Sequence, residues 1–407
     1  MAKADATSLD AVLKELYSGQ KVAQVAYDKW SRPFLSMVKK QQFSGVIFPL
    51  PLRVEHGGGR AITVSTAQTN VLSNTFQQFQ IDTKKNYAVA RITNDAILRS
   101  RNDKGAFLDG LEAEVDGAIG RLSNDLESSL FRDRAGSIGV VSALSNGNQT
   151  ITLTDADDIV NFYVGQEVVA ADTTASALRS SSSSTVSAVD RDAGTVTFDA
   201  TVPAECDAYA GDYLFTEGDY DSASDTNKLS GLDSWLPSTA PSSGDSFFGV
   251  DRSSDPTRLA GLRYTGNAGA IEESIIGAAA RLARESAARP DVALMSHGTY
   301  RRLVNELGSK VQRDEGGKAV GGFTGCDIIG PRGTIKCIPS TFCQGTVVWL
   351  LTMDTWVLCS MLDPVHIIKP DGLMIRAVYN EDTFECRVGS YANLGCRNPG
   401  ANARISL

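Results

Sequence analysis

The sequence predicts a mixed α+β protein that carries an all-β insertion, and three observations support this fold class. Residues 103–131 have the apolar periodicity of one long helix. Residues 45–92 are rich in β-branched and apolar residues that partly alternate, as in strands. Residues 140–250 are rich in Ser, Thr, Asp and Gly and contain short strand-like runs. With 407 residues, 42% of them hydrophobic and 21% charged, the chain is expected to form two or three globular domains.

The first 46 residues form a basic segment with helical periodicity behind a capping residue, Ser8. Seven Lys or Arg against four acids give this segment a net charge of +3, whereas the whole chain carries −9. Such a segment can face a polyanion or be a solvated helix face, and the sequence leaves both interpretations open. Docking on another surface and packing on the chain's own domain are equally consistent with its aromatic residues Tyr27, Trp30 and Phe34.

A run of three glycines, Gly57–Gly59, lies between two strand-like stretches. A phosphate-binding loop needs a strand before its glycines and a helix N-terminus after them, so that backbone N–H groups converge on the anion. Strand-like residues lie on both sides of this run instead, and neither GxGxxG nor GxxxxGK[ST] passes through it. The pattern predicts the tip of a long hairpin, where glycine loosens the backbone.

One long amphipathic helix is predicted over residues 103–131. Its apolar positions follow a 3,4,4,3,4,4 spacing: Leu108, Leu111, Val115, Ile119, Leu122, Leu126 and Leu130. About 25 residues at roughly 1.5 Å each make a rod of nearly ~40 Å, buried along one side.

The remainder of the chain alternates short elements. The insertion contains "QTITLTD" and "VDRDAGTVTF", the latter resembling a hairpin with a glycine turn, and no internal repeat of fixed period is apparent. Residues 270–308 predict two helices around a strand, and residues 326–378 predict strands and turns. Because no run of 18 apolar residues occurs, no membrane-spanning segment is predicted.

Catalytic, cofactor-binding and metal-binding signatures are not found. Ser296 lies beside His297, but adjacent residues rarely form a catalytic pair, and no GxSxG elbow occurs. The three histidines lie far apart in sequence, and the seven cysteines form no CxxC. The acidic clusters "TDADD" and "EGDYDSASD" do not fit a twelve-residue calcium loop, so surface turns are the preferred interpretation. A hydrolase whose site is assembled from distant residues, around His297 or His366, remains an alternative.

The order of elements is more specific than any single motif. A helical arm leads into a long hairpin with a glycine tip, and then into a helix that contains "GLEAEVDGAIGRLSNDLESSLF". Further on come "GLDSWLPSTAPSSGDSFFGVDRSSDPTRLAGLR" and "HGTYRRLV", followed by strand pairs and a C-terminal strand. This arrangement resembles the major capsid protein of tailed bacteriophages, with the Hong Kong 97-like fold, over essentially the whole chain except residues 140–256.

The resemblance implies a division of the chain. The implied parts are an N-terminal arm (1–46), an extended loop (47–92), a peripheral domain with its spine helix (93–139), a β-rich insertion (140–256), an axial domain (257–369) and a return to the peripheral domain (370–407).

The implied function is assembly. The resemblance predicts a subunit, with no enzymatic activity and no cofactor, that forms pentamers and hexamers of an icosahedral virion head around double-stranded DNA. Portal, scaffolding and possible decoration proteins are the expected partners, and no membrane is involved. An encapsulin-type compartment, a shell of the same fold that encloses cargo enzymes, is the nearest alternative.

The resemblance also implies three sets of contact residues. The loop tip would contact a neighbouring subunit through Arg53, Glu55, His56, Gly57, Gly58, Gly59 and Arg60. The arm would do so through Tyr27, Trp30 and Phe34. The residues expected to face DNA are Lys14, Lys21, Lys29, Lys39 and Lys40. Some relatives cross-link through a lysine of this loop, but no lysine lies between Gln41 and Thr83, so no cross-link is predicted. A separate scaffold protein is expected, since only 46 residues precede the loop.

Overall fold

The computed structural model describes residues 32–95, 104–145, 149–174, 176–180, 182–200, 208–220, 227–307, 326–369 and 372–407, with the backbone alone for 104–113. Several predicted contact residues therefore lie outside the described residues: Lys14, Lys21, Tyr27, Lys29 and Trp30.

The α-helices of the described residues are α1 (Pro33–Met37), α2 (Val64–Thr69), α3 (Lys104–Phe131), α4 (Leu232–Trp235), α5 (Pro256–Ala260), α6 (Ile271–Glu285) and α7 (His297–Leu307). The strands in the first half are β1 (Lys39–Gln42), β2 (Ile47–Glu55), β3 (Thr75–Asp82), β4 (Lys84–Thr93), β5 (Gly139–Ser145), β6 (Thr150–Leu153), β7 (Glu167–Ala171), β8 (Ser184–Asp190), β9 (Thr195–Phe198) and β10 (Tyr213–Thr216). Those in the second half are β11 (Ser246–Phe247), β12 (Val250–Asp251), β13 (Leu262–Thr265), β14 (Val292–Met295), β15 (Cys326–Gly330), β16 (Gly333–Pro339), β17 (Val347–Leu351), β18 (Trp356–Ser360), β19 (His366–Ile367), β20 (Arg376–Ala377), β21 (Thr383–Cys396) and β22 (Ala403–Ser406).

Two six-stranded sheets form the body. Sheet I has the order β13-β22-β17-β14-β16-β15, and its core packs against the apolar faces of α6 and α7. Sheet II is built around the long strand β21, which pairs with β4, β18, β19 and β20, while β1 adds in parallel to β18. Helix α3 packs against β4 and β21 of sheet II. Its predicted inner residues Leu122, Leu126 and Leu130 are buried, as the apolar spacing requires.

The chain crosses between the two sheets more often than the predicted boundaries allow. β18 lies in sheet II, although it falls within the predicted axial segment, and the C-terminal strand β22 lies in sheet I between β13 and β17. β4 belongs to sheet II and not to the hairpin, because it pairs with β21 along its whole length from Lys84 to Thr93. The hairpin proper is therefore β2 and β3.

The predicted all-β insertion is a closed six-stranded barrel in the order β10-β5-β6-β9-β8-β7. Its interior is a separate apolar core that includes Ile151, Phe162, Val196 and Phe198. The barrel strands end at Thr216, earlier than the predicted boundary at residue 256. Residues 229–250 contribute to the main core of the body instead, through large side chains such as Trp235 and Phe247. These side chains belong to the body because they are buried in its core. The local composition of the sequence does not reveal where they are buried.

The described cysteines have free thiols, and all but the half-buried Cys326 are buried. None of the described helices combines the length and the apolar character that a membrane span requires.

Candidate functional site: the extended hairpin and its anchors

One apolar face attaches the hairpin to the body. Alternate side chains of β2 and β3 point inward, as the two-residue period of a strand requires. The register pairs Leu50 with Phe79 and Phe48 with Ile81. Leu50, Phe79 and Ile81 are buried in the main core. This face sets the register of the hairpin, because a slip by one residue would turn the apolar side chains toward solvent.

Two prolines protect the outer edge of β2. Pro49 lies opposite Gln80, whose N–H donates to the Phe248 carbonyl at 2.9 Å and so points away from β2. No backbone hydrogen bond between β2 and β3 therefore joins Pro49 to Gln80. The absence of an N–H on the proline costs the hairpin no hydrogen bond. Pro51 has the same orientation two residues further on. Prolines on an edge prevent another strand from adding there, so contacts with other chains at this edge are left to side chains.

Trp235 is the central anchor of the hairpin base. Its ring is fully buried and meets Phe79 and Phe247 edge-on, with ring centroids 5.0 Å and 4.9 Å apart. Its Nε1 donates a hydrogen bond to the Leu394 carbonyl at 3.0 Å. The sequence did not reveal this residue as an anchor, because residues 140–256 were predicted to form the insertion. The only local signal was one tryptophan between two leucines in "LDSWL".

All three glycines are required by the geometry of the hairpin tip, Gly57 and Gly59 for steric reasons and Gly58 for its backbone conformation. A Cβ on Gly57 would lie 2.5 Å from the Leu72 carbonyl oxygen, and one on Gly59 would lie 1.9 Å from that of Ala67. Gly58 has a φ of 116°, and its N–H donates to the Leu72 carbonyl at 2.8 Å. The glycines thus allow the outgoing chain to pack against the returning chain. Their predicted role, loosening the backbone, is replaced by close packing.

The tip presents an uncharged, partly apolar surface. Residues 61–81 contain no Asp, Glu, Lys or Arg. Short helix α2 lies within this stretch, capped by the Thr63 hydroxyl, which accepts a hydrogen bond from the Thr66 N–H. The large apolar side chains that are exposed here are Ile62, Val64, Val71, Leu72 and Phe76. An open depression of about 330 Å³ lies among them, lined by Gly59, Ala61, Ile62, Thr63, Val64, Ala67, Gln68 and Val71. This surface suits contact with another apolar surface.

Three of the residues predicted for the tip, Arg53, Glu55 and His56, lie where β2 ends, whereas Arg60 lies at the tip itself, between Gly59 and Ala61. Arg53, Glu55, His56 and Arg60 are all exposed. The strand is bulged between Arg53 and Glu55, which alters its pairing with β3 at this point. Exposure leaves these four side chains available to a neighbouring subunit, so the predicted contact stays a prediction.

The structure corrects the role predicted for Phe34. Its side chain is completely buried within its own subunit, with ring centroids 5.6 Å from Phe131 and 6.3 Å from Trp356. A side chain without exposed surface cannot contact a neighbouring subunit. Of the two interpretations that the sequence left open for this residue, packing on the chain's own domain is therefore the correct one. The physical reason is that α1 lies in the groove between α3 and sheet II.

Glu127 of α3 holds α1 in place. Its Oε1 accepts a hydrogen bond from the Phe34 N–H at 3.0 Å, and its Oε2 accepts one from the Leu35 N–H at 2.8 Å. These are free N–H groups at the start of α1, which the preceding residue, Arg32, does not cap through its side chain. Burial raises the pKa of Glu127 from its ordinary 4.5 to about 7, although the two N–H groups and Arg32 act in the opposite direction.

This raised pKa predicts a specific pH dependence of stability. Between pH 4.5 and 7 the folded subunit holds a proton on Glu127 that the unfolded chain has lost, so stability falls as the pH rises through that window. We expect the unfolding free energy of the wild type, relative to Glu127→Gln, to decrease by about 1–3 kcal/mol between pH 5 and pH 7.5. Urea unfolding of the two purified subunits at several pH values measures this difference. Parallel pH profiles would contradict the assignment.

The two predicted DNA-facing lysines that the structure describes lie on β1, at the edge of sheet II. Lys39 forms an exposed ion pair with Asp354 at 2.7 Å. Lys40 is exposed. A contact with DNA phosphates through either side chain stays a prediction.

Other residues considered for chemistry take part in structural contacts. The Ser296 Oγ caps the start of α7 by accepting the Thr299 N–H at 3.2 Å, and His297 Nε2 lies 3.3 Å from the Thr341 hydroxyl. His366 Nδ1 lies 3.0 Å from the Asp363 carbonyl oxygen. Across the described ranges, no three His, Cys, Asp or Glu side chains come together as a metal site requires.

The described geometry belongs to a known fold. The chain matches a chain of the cyanophage A-1(L) capsid asymmetric unit with a TM-score of 0.56 and 13% identity, over 98% of both chains. Chains from the capsid of a native GTA particle (TM-score 0.47, 10% identity, 97% and 95% covered) and from the holo-SrpI encapsulin complex of Synechococcus elongatus PCC 7942 (0.44, 8%, 100% and 96%) also match. No protein-family model and no curated protein matches the sequence. The similarity to the cyanophage chain confirms the predicted fold class, a Hong Kong 97-like capsid fold.

Proposed function

We propose that this chain is the major capsid protein of a tailed bacteriophage, which assembles with itself into the pentamers and hexamers of an icosahedral head around double-stranded DNA. The observation that carries the proposal is the similarity of fold to a phage capsid chain over 98% of both chains. The predicted virion location follows from the same proposal.

The hairpin supports a role in self-assembly. It is anchored in the body at one end, through Leu50, Phe79 and Trp235, and at the other end it exposes an uncharged apolar surface. Exposed apolar patches of this kind mark protein–protein contacts. A subunit of a shell needs such contacts with its neighbours, and the closely packed tip presents this surface at the end of the hairpin.

The distribution of charge supports an orientation of the subunit in the shell. Residues 139–220 contain thirteen Asp or Glu against two Arg, a net charge of −11, so the rest of the chain carries +2. An acidic barrel is repelled by DNA phosphates, whereas Lys39 and Lys40 are attracted by them. We therefore place the barrel on the outer surface and β1 toward the genome, with phosphate contacts that are independent of base sequence. Portal and scaffolding proteins, and a decoration protein on the outer surface, are the corresponding partners.

Electron microscopy of the purified full-length protein tests this function. We expect closed icosahedral shells, because the fold and the hairpin provide the contacts of a capsid lattice. A persistent monomer or dimer, with or without a scaffold protein from the same source, would contradict any shell function. Particles isolated from the native source are expected to contain double-stranded DNA. Shells that contain an enzyme cargo and no genome would instead support the encapsulin-type alternative.

A further inference from the structure

The barrel contains two segments with the same order of elements and the same burial. Residues 139–172 hold β5, β6 and β7, and residues 184–217 hold β8, β9 and β10. Strands β5 (GVVSALS) and β8 (STVSAVD) have the same pattern of buried, half-buried and exposed residues at every position. The same holds for β6 (TITL) and β9 (TVTF). A shift of 45 residues relates both pairs of strands.

The hydrogen bonds of the two segments correspond under this shift. Thr154 N–H donates to the Val140 carbonyl at 2.9 Å, and 45 residues later Asp199 N–H donates to the Thr185 carbonyl at 3.1 Å. β5 carries a bulge at residues 141–143 in its pairing with β6, and β8 carries one at 186–188 in its pairing with β9. Bulges are specific irregularities, so their recurrence at one position is stronger evidence than shared strand order.

A tight turn before the third strand also recurs, now with a shift of 46 residues. Tyr163 N–H donates to the Gln166 side-chain oxygen at 3.2 Å, and Tyr209 N–H donates to an Asp212 carboxylate oxygen at 2.9 Å. Each turn has a glycine with positive φ at its third position, Gly165 and Gly211, at 83° and 96°. The N–H of each glycine donates to a valine carbonyl of the other segment at 2.8 Å. The extra residue lies in the connection between the second and third strands of the second segment.

The closed order β10-β5-β6-β9-β8-β7 is unchanged when the three strands of one segment are exchanged with those of the other. The barrel therefore has an approximate two-fold symmetry. We infer that the barrel is a tandem duplication of one β-β-β unit, whose first copy is specialised to dock the barrel on the body of the subunit. The sequence showed no repeat of fixed period, and the shift between the two copies does change from 45 to 46 residues before the third strand.

The docking contacts use residues that only the first copy carries. The Asp155 Oδ2 accepts the Gly345 N–H at 2.8 Å, and Asp158 forms a buried bidentate pair with Arg132 of the body. A shift of 45 or 46 residues places Ala200 or Thr201, and Pro203 or Ala204, at the two corresponding sequence positions, and none of these side chains has a carboxylate. The acidic cluster "TDADD", which the predicted function did not use, is thus the docking surface of the first copy.

The recurring turn shows the same divergence. The guanidinium of Arg121, from helix α3 of the body, lies 4.0 Å from the centre of the Tyr163 ring. In the second copy the corresponding ring, Tyr209, has Arg179 of the barrel itself at 5.6 Å, and Arg179 also forms hydrogen bonds with Asp212 at 2.7 and 3.0 Å. The turn of the first copy therefore contacts an arginine of the body, whereas the corresponding turn of the second copy contacts an arginine of the barrel.

A reciprocal exchange of core residues tests the duplication in the full chain. Leu153 and Phe198 occupy corresponding positions at the ends of β6 and β9, and both lie in the barrel core. We expect Leu153→Phe and Phe198→Leu to accelerate hydrogen exchange of the barrel amides by about tenfold each, the first by overpacking and the second by a cavity. In the double variant the two effects are expected to add, because the register places Leu153 and Phe198 at opposite ends of the β6–β9 ladder. If the positions are equivalent, the amides that the two single variants accelerate correspond to each other under the shift of 45 residues. Accelerated sets that this shift does not relate would overturn the equivalence.

A second pair of variants tests the division of roles. Asp158→Asn leaves Arg132 buried without its charged partner, and we expect faster exchange at residues 128–138 and 155–162 while the barrel strands keep their protection. The matched variant Asp212→Asn is expected to accelerate exchange in β7 and β10 and to leave residues 128–132 unchanged. If Asp158→Asn loosened all barrel strands equally, the barrel would not be a self-contained unit, and the inference would fail. Both outcomes are independent of shell assembly, because the measurement uses unassembled subunits.

Discussion

Replacing Gly59 with alanine is expected to abolish shell assembly while leaving the subunit folded. A Cβ at this position would lie 1.9 Å from the Ala67 carbonyl oxygen and 2.9 Å from its carbonyl carbon, both backbone atoms. The tip therefore has to open, and the apolar surface around Ile62 and Val71 loses its shape. A shell repeats each contact many times, so a modest loss at one contact multiplies across the assembly. We expect the yield of closed shells to fall by more than about tenfold, which needs less than about 1.4 kcal/mol at each contact because the losses multiply.

The fold of the Gly59→Ala subunit is expected to survive, because the hairpin base is held by buried Leu50, Phe79 and Ile81, far along the ribbon from the tip. Its unfolding midpoint should stay within about 2 °C of the wild type. Gly117→Ala is the matched control, since a Cβ at this helical position meets no atom within 4 Å. It should assemble normally and gain about 0.5–1 kcal/mol in helix stability. Normal shells from Gly59→Ala, counted by electron microscopy, would remove the closed tip from the assembly surface.

Replacing Trp235 with alanine is expected to have the largest effect on the stability of the subunit. The indole ring fills the junction between the hairpin base, residues 247–248 and sheet II. Its ring centroid lies 6.4 Å from that of Trp356. Its removal leaves a large cavity and deprives the Leu394 carbonyl of the Nε1 donor. We expect a loss of about 3–5 kcal/mol in the free energy of unfolding. Because the ring contacts Phe79, the hairpin should also lose its fixed position, which is expected to prevent assembly.

Trp235→Phe separates packing from hydrogen bonding. The smaller ring restores much of the volume and lacks the N–H, so we expect a loss of about 1–2 kcal/mol. Urea unfolding of the three proteins, followed by circular dichroism, measures these differences. A loss below about 1 kcal/mol for Trp235→Ala would mean that the hairpin base is held by other contacts.

The closely packed tip changes the interpretation of the glycine run. Glycine was predicted to loosen the backbone, which would let one chain adapt to different positions in a shell. In the structure, Gly57 and Gly59 allow backbones to approach, and Gly58 adopts a positive φ. Adaptation to different positions is then expected to come from bending of the β2–β3 ribbon along its length and from side-chain contacts, since the tip itself is closely packed.

Local periodicity was sufficient to predict the elements that depend on a repeating pattern. The spacing of Leu122, Leu126 and Leu130 predicted the buried side of α3, and the strand-like stretch before the glycines predicted β2. The stretch directly after the glycines, which was also predicted as strand-like, instead holds the short helix α2, and the returning strand β3 begins only at Thr75. The order of these elements along the chain was enough to predict the capsid fold class. The sequence also argued against a phosphate loop at Gly57–Gly59, because neither GxGxxG nor GxxxxGK[ST] passes through these glycines.

Contacts between residues far apart in sequence were decided by the tertiary structure alone. Trp235 was assigned to the insertion by composition, yet it lies in the core of the body, and Phe34 packs inside its own subunit. The evidence for the duplication in the barrel lies in the hydrogen bonds, bulges and burial that its two copies share, while many side chains differ between the copies. The physical reason is common to these cases. An element's period follows from its own backbone geometry, whereas the partner that buries it depends on how the whole chain packs.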